Sequence, residues 1–144
     1  KIGIIGEQNR DENLINDLLN WMYANNADYT NTFRLLMTKD IKKEKMFQDS
    51  NFIDWYKRWN VRLSHNKKPM KSSLNLMCLN NPLVIPRNHK VEECLDSVNN
   101  QGDLKPLYNL LKYLEKPYED QLGISDFQSV PNLNRKKYKT FCGT

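Results

Sequence analysis

Cysteine is scarce in this chain, and histidine scarcer still. Cys78, Cys94 and Cys142 are odd in number and form no Cys-x-x-Cys pair. That argues against a disulfide framework or a zinc site and for a reducing compartment, so a cytoplasmic location is expected. His65 and His89 are the two histidines. They lack the spacing of three or four residues that places two metal ligands on one helix, and each reads as solvent-facing or hydrogen-bonded. No apolar run approaches the roughly 20 residues of a membrane span. No charged stretch leads into an apolar one as in a signal peptide. There is no initiator methionine, which fits a fragment of a longer protein. The opening Lys1-Ile2-Gly3-Ile4-Ile5-Gly6 invites a phosphate-loop reading, but a third glycine is missing and Glu7 stands where a phosphate would sit.

What is present is enough for one modest core. A hydrophobic fraction of 39% with 27% charged residues over 144 positions separates the chain from disordered sequences. The net charge of +5 describes a solvated basic surface or a preference for acidic partners. Apolar spacing of three and four predicts about five or six short helices. Leu14, Ile15, Leu18, Leu19 and Met22 make one stripe, with Asp11 as its expected cap and Asn25-Asn26 as its end. Asp28 is expected to cap a second helix through Thr32, Phe33, Leu35 and Leu36. After a lysine-rich turn, Phe52, Trp55, Tyr56, Trp59 and Leu63 share one face, with Asn51 as the candidate cap and Lys57, Arg58 and Arg62 turned mostly away.

Further on, Met70, Leu74, Met77 and Cys78 form a stripe that begins near Pro69. Pro82 and Pro86 impose an extended connection. Val91, Cys94, Leu95 and Val98 resume the helix, Gly102 suits its C-cap, and Asp103 suits the next N-cap. Leu104, Leu107, Tyr108, Leu111 and Leu114 give the last stripe, which Pro117 stops. Only residues 1–6 read as a possible strand. The expectation is an all-α fold, an irregular bundle with a helical unit at 1–117 and an extended basic tail at 118–144 carrying Arg135-Lys136-Lys137.

Reacting groups are hard to find. No G-x-S-x-G occurs, and adjacent carboxylates such as Glu92-Glu93 do not face each other on a helix. Trp55, Tyr56 and Trp59 beside basic residues could be a stacking platform for nucleic acid, but their shared stripe points to core packing instead. Two polar pairings stand out. Asp28 with Arg34, and Arg87 with Asn88 after the Pro-rich connection, are either structural pins through charge-assisted hydrogen bonds or an interface with a missing domain.

At these places the sequence resembles a known family. Asp28-Tyr29-Thr30-Asn31-Thr32-Phe33-Arg34, then Asn81-Pro82-Leu83-Val84-Ile85-Pro86-Arg87-Asn88-His89, Gly102-Asp103, Tyr118-Glu119 and Thr140-Phe141-Cys142-Gly143-Thr144 look like the C-terminal portion of the selenoprotein O family of protein adenylyltransferases. The Lys1-Ile2-Gly3-Ile4 segment is similar to the stretch that leads into it. The resemblance implies a kinase-like parent that transfers AMP from ATP to Ser, Thr or Tyr of proteins and requires Mg2+ or Mn2+. Its catalytic, nucleotide-binding and metal-binding residues lie upstream, so none falls in this chain, and no cofactor is expected here. The implied partners are the upstream kinase-like domain of the same polypeptide and the parent's protein substrates. Cys142 occupies the place of a cysteine near the family's C-terminus that is implicated in redox control, and is otherwise a plain exposed thiol. The rival reading is a free-standing basic helical module that binds nucleic acid.

Overall fold

The computed structural model describes residues 1–38 and 40–131. Among them every regular element is helical: α1 (Asp11–Ala24), α2 (Tyr29–Leu36), two 3-10 turns (Asp40–Lys43 and Lys45–Gln48), α3 (Ser50–Ser64), α4 (Met70–Asn80), α5 (Asn88–Gln101), α6 (Lys105–Leu114) and a short α7 (Ser125–Gln128). The all-α expectation holds, with six helices of eight residues or more and a final single turn.

The helix signals act as their chemistry requires, with three shifts. Asp28 caps α2, its carboxylate accepting from the Asn31 N–H at 2.8 Å. Gly102 ends α5 in the left-handed conformation with φ +66°. The N-cap of α6 is Leu104 rather than Asp103, whose carboxylate accepts from the Lys105 N–H one residue further on. The cap of α3 is Asp49 rather than Asn51, because Asp49 has the extended backbone that lets its side chain reach the Phe52 N–H. Asp11 is the first residue of α1 rather than its cap. Its carboxylate reaches back to the Gln8 N–H and is otherwise engaged by Arg62.

α1 packs on α3 through Leu14, Leu18, Trp21 and Met22 against Phe52, Trp55, Trp59 and Leu63. Phe33 and Leu36 of α2, with Ile2, Ile41, Phe47 and Met77, complete this cluster. Trp55 stacks on Trp59 with ring centroids 5.7 Å apart, and Trp21 lies 4.7 Å from Phe52. Each indole N–H finds an acceptor: Trp21 donates to Asp49, Trp55 to the Leu14 carbonyl and Trp59 to the Ile2 carbonyl. A buried indole without a partner would leave a donor unsatisfied, so these bonds let the aromatic stripe stay inside.

Residues 1–6, the possible strand, form no strand, because the described residues offer no neighbouring strand to pair with them. They run as a strap through the helices, stapled by side chains. Asn81 donates to the Lys1 carbonyl, Trp59 to Ile2, Asn66 to Gly3 and Arg62 to Gly6, while the Ile5 N–H donates to the Asn66 side chain. Gly3 has φ +73°, and a Cβ there would sit 3.0 Å from the Met77 sulfur and 3.1 Å from the Ser73 carbonyl. Glycine is needed for close packing here, not for a phosphate.

The second half is more loosely attached. α5 and α6 pack mainly on each other, and Val84, Cys94, Leu110 and Ile124 are buried apart from the main cluster. Past Pro117 the chain turns back: Tyr113 donates to the Leu122 carbonyl and its ring meets Phe127 at 4.7 Å, and Gln128 donates to the Leu83 carbonyl. Arg135-Lys136-Lys137 and Cys142 lie outside the described residues.

Candidate functional site

The polar pairings singled out in the sequence converge on one node. Asp28 lies at the start of α2, and Arg87 immediately precedes α5 at the end of the connection from Asn81 to Pro86. The proline-imposed backbone of that connection brings Arg87 back over α2, where its two terminal nitrogens each donate 2.8 Å bonds to the two Asp28 oxygens. Asp28 thus pairs with Arg87 rather than with Arg34, a contact between positions 59 apart in sequence. Arg87 is almost wholly buried and the Asp28 side chain about one-fifth exposed. Burial alone would raise the Asp28 carboxyl pKa. The Arg87 and Asn31 hydrogen bonds, with the charges of Arg87 and Arg34, outweigh that and hold it below the ordinary range.

Arg34 stands on the flank of this pair. It is half-buried, its Nε is shut from water without an acceptor among the described residues, and burial followed by the nearby Arg87 charge lowers its pKa. Asn31 ties the node to the returning segment by donating to the Gln128 carbonyl at 3.0 Å. Asn88, the first residue of α5, is exposed.

A second node was not foreseen. Arg62, expected to turn outward, is 7% exposed and grips Asp11 through bonds of 2.6 and 2.9 Å. Its remaining donors go to Asn66 and to the Gly6 carbonyl, and Asn66 continues to Ser73. The Arg62 hydrogen bonds lower the Asp11 pKa against the opposing effect of burial, helped by the Gln8 N–H. The signal was in the helix spacing: Arg62 falls three residues after Trp59 and seven after Trp55, on the buried stripe.

Both carboxyls therefore titrate lower folded than unfolded, so the stability they contribute is complete above the unfolded value of about 4 and is lost as pH falls through the depressed folded values. Urea midpoints measured from about pH 7 down to about pH 2 should fall steeply below about pH 4, and less steeply in Asp11→Asn and Asp28→Asn chains. An equally steep fall in both variants would assign the acid loss to other groups.

Both nodes are pins made of paired charges, with Arg87 Nε left without an acceptor among the described residues, and neither gathers reacting groups around an open centre. Among the described residues no group of three or more His, Cys, Asp or Glu side chains could hold a metal, and no helix is long and apolar enough to cross a membrane. Cys78 is a free exposed thiol and Cys94 a free buried one whose pKa burial raises. A shallow cleft of about 700 Å3 between α1 and α3 has mixed charge, with Asp17 and Arg58 paired across it at their carboxylate and guanidinium. The fold and its two nodes thus define a helical module braced by buried ion pairs.

Known proteins give that module its family. The family model described as protein adenylyltransferase SelO matches residues 1–115, and the chain belongs to that family. It is 46% identical over all 144 residues to the protein nucleotidyltransferase YdiU of Nitrosococcus oceani, covering 29% of that protein. The proteins of the same name from Alcanivorax borkumensis and Pelagibacter ubique are 42% and 44% identical over the whole chain, with 30% of each covered. The chain spans about three-tenths of the length of these relatives.

Proposed function

We propose that this chain is the helical C-terminal portion of a protein adenylyltransferase, and that it braces the catalytic portion rather than supplying reacting groups. In this reading the longer protein transfers AMP from ATP to Ser, Thr or Tyr hydroxyls of proteins. The observation that carries it is the alignment of the entire chain with three-tenths of proteins named protein nucleotidyltransferase. ATP with Mg2+ or Mn2+ would belong to the other seven-tenths. The described residues do not fit that group: the glycine strap at its Gly3 end is packed against Met77 and Ser73, and its carbonyls are taken by helix side chains. No step is therefore assigned to a residue of this chain. The rival nucleic-acid reading loses its stacking platform, because Trp55 and Trp59 are core residues with bonded indoles.

The test is a full-length chimera in which this chain replaces the matching segment of the Nitrosococcus oceani relative. Transfer of labelled AMP to protein by the chimera, and none by the isolated chain, is the expected result. An inactive chimera, or an isolated chain that labels protein, overturns the reading. Salt-sensitive binding of DNA or RNA by the isolated chain would favour the rival. Cys142 enters as a redox candidate of the longer protein. If it has that role, oxidant should change AMP transfer by the chimera and Cys142→Ser should abolish the change; an unchanged response leaves it a plain thiol.

A further inference from the structure

The most amphipathic pattern in the sequence leaves much of its apolar face uncovered. The stripe Leu104, Leu107, Tyr108, Leu111 and Leu114 has the spacing of a buried helix face. In the structure the fully buried residue of α6 is Leu110, at 3% exposure. Leu104, Tyr108 and Leu111 are 42%, 63% and 45% exposed. They stand at i, i+4 and i+7, one continuous strip on one side of the helix. Leu95 of α5, the helix that α6 packs on, is 49% exposed. Single exposed apolar residues are ordinary, whereas a strip of them on one element marks an interaction surface.

We infer that this α6 face is the surface on which the chain docks against the rest of its own longer polypeptide. The inference rests on the reading that such a polypeptide exists, and it names the surface. Two facts select that occupant. About seven-tenths of each relative's length lies outside this chain, which leaves a large body of protein to be packed against. The family match runs through residue 115, so it includes the whole of α5 and α6. A face built into the part shared with the family fits a partner that the family also shares, and the remainder of the polypeptide is such a partner. The chemistry it presents is aliphatic with one tyrosine, so the complementary surface should be apolar with an acceptor or water near the Tyr108 hydroxyl.

The test compares the same substitutions in two settings. In the isolated chain, Tyr108→Glu with Leu111→Glu alters exposed positions, so helical circular dichroism should be kept and the melting temperature should move by less than about 2 °C. In the full-length chimera the same pair should lower the melting temperature by more than about 5 °C and reduce AMP transfer at least about tenfold, because two charges would then lie in an apolar contact. Val61→Glu, at an exposed α3 position flanked along the helix by Lys57 and His65, is the control that should leave both settings unchanged. An active chimera that tolerates the α6 pair overturns the inference and leaves the functional reading standing; an inactive unmodified chimera overturns that reading itself. Should the glutamates unfold the isolated chain, Tyr108→Ser with Leu111→Ser replaces them with the same two expectations. Concentration-dependent dimerisation of the isolated chain that the α6 pair abolishes would make a second copy the occupant and also overturn the inference.

Discussion

Arg62→Ala should remove about 3–5 kcal/mol from the stability of this chain, measured by urea unfolding at neutral pH. The reason is what the guanidinium leaves behind. Asp11 would keep its charge at the edge of the core with its two short bonds gone, and the Gly6 carbonyl would lose its donor. Asn66 would lose one of the bonds that hold it between the strap and Ser73. Breaking one side of a buried pair costs far more than the pair contributes over an apolar substitute. Against a total of about 5–15 kcal/mol for an ordinary domain, the loss is large enough to leave a sizeable unfolded fraction. Arg62→Lys keeps the charge but not the fork, and should fall between. The double variant Arg62→Met with Asp11→Leu should recover much of the loss, since no stranded charge remains. An Arg62→Ala chain within about 0.5 kcal/mol of the parent would show that the node does not hold the strap.

The same residue shows where the sequence was readable and where it was not. Periodicity alone located α3 and its aromatic face, since Phe52, Trp55, Trp59 and Leu63 are all buried. It would also have placed Arg62 inside. Its residue type points the other way, and a buried arginine whose carboxylate partner lies 51 residues away leaves no local trace. Local signals did better where the physics is local. Asp28 and Gly102 were legible because a cap needs only its own helix end. Asp49 was missed in favour of Asn51 because the choice depends on which residue takes extended backbone, and Trp21 also draws on the Asp49 carboxylate. Asp28, Arg34 and Arg87 were recognised as unusual, but their pairing depends on how the connection at 81–87 folds over α2. The last stripe, on α6, was legible as helix, but Leu107 and Leu114 are partly buried while Leu104, Tyr108 and Leu111 are exposed, because spacing reports which residues share a face and not what covers it.

Arg87→Ala should act more locally, and this difference separates the two nodes. The main cluster of α1, α2, α3 and α4 makes no use of Arg87. Among the described residues the second half meets it through the Arg87–Asp28 fork and through Asn31 reaching the Gln128 carbonyl, while Gln128 in turn holds the Leu83 carbonyl of its own half. Removing the fork takes away the only charge-assisted member of that set. The loss should be about 2–4 kcal/mol, below the Arg62 figure, because Asp28 keeps the Asn31 N–H as a partner and Arg34 stays close enough to offset part of its charge. Amide exchange should therefore quicken across α5, α6 and residues 117–128 while α1 and α3 keep their protection, the pattern of a sub-global opening. In Arg62→Ala the acceleration should instead reach α1 and α3, since strap, α1 and α3 meet at that side chain. If Arg87→Ala exposes α1 and α3 as fast as α5 and α6, the two halves unfold as one unit and the fork is part of a single core.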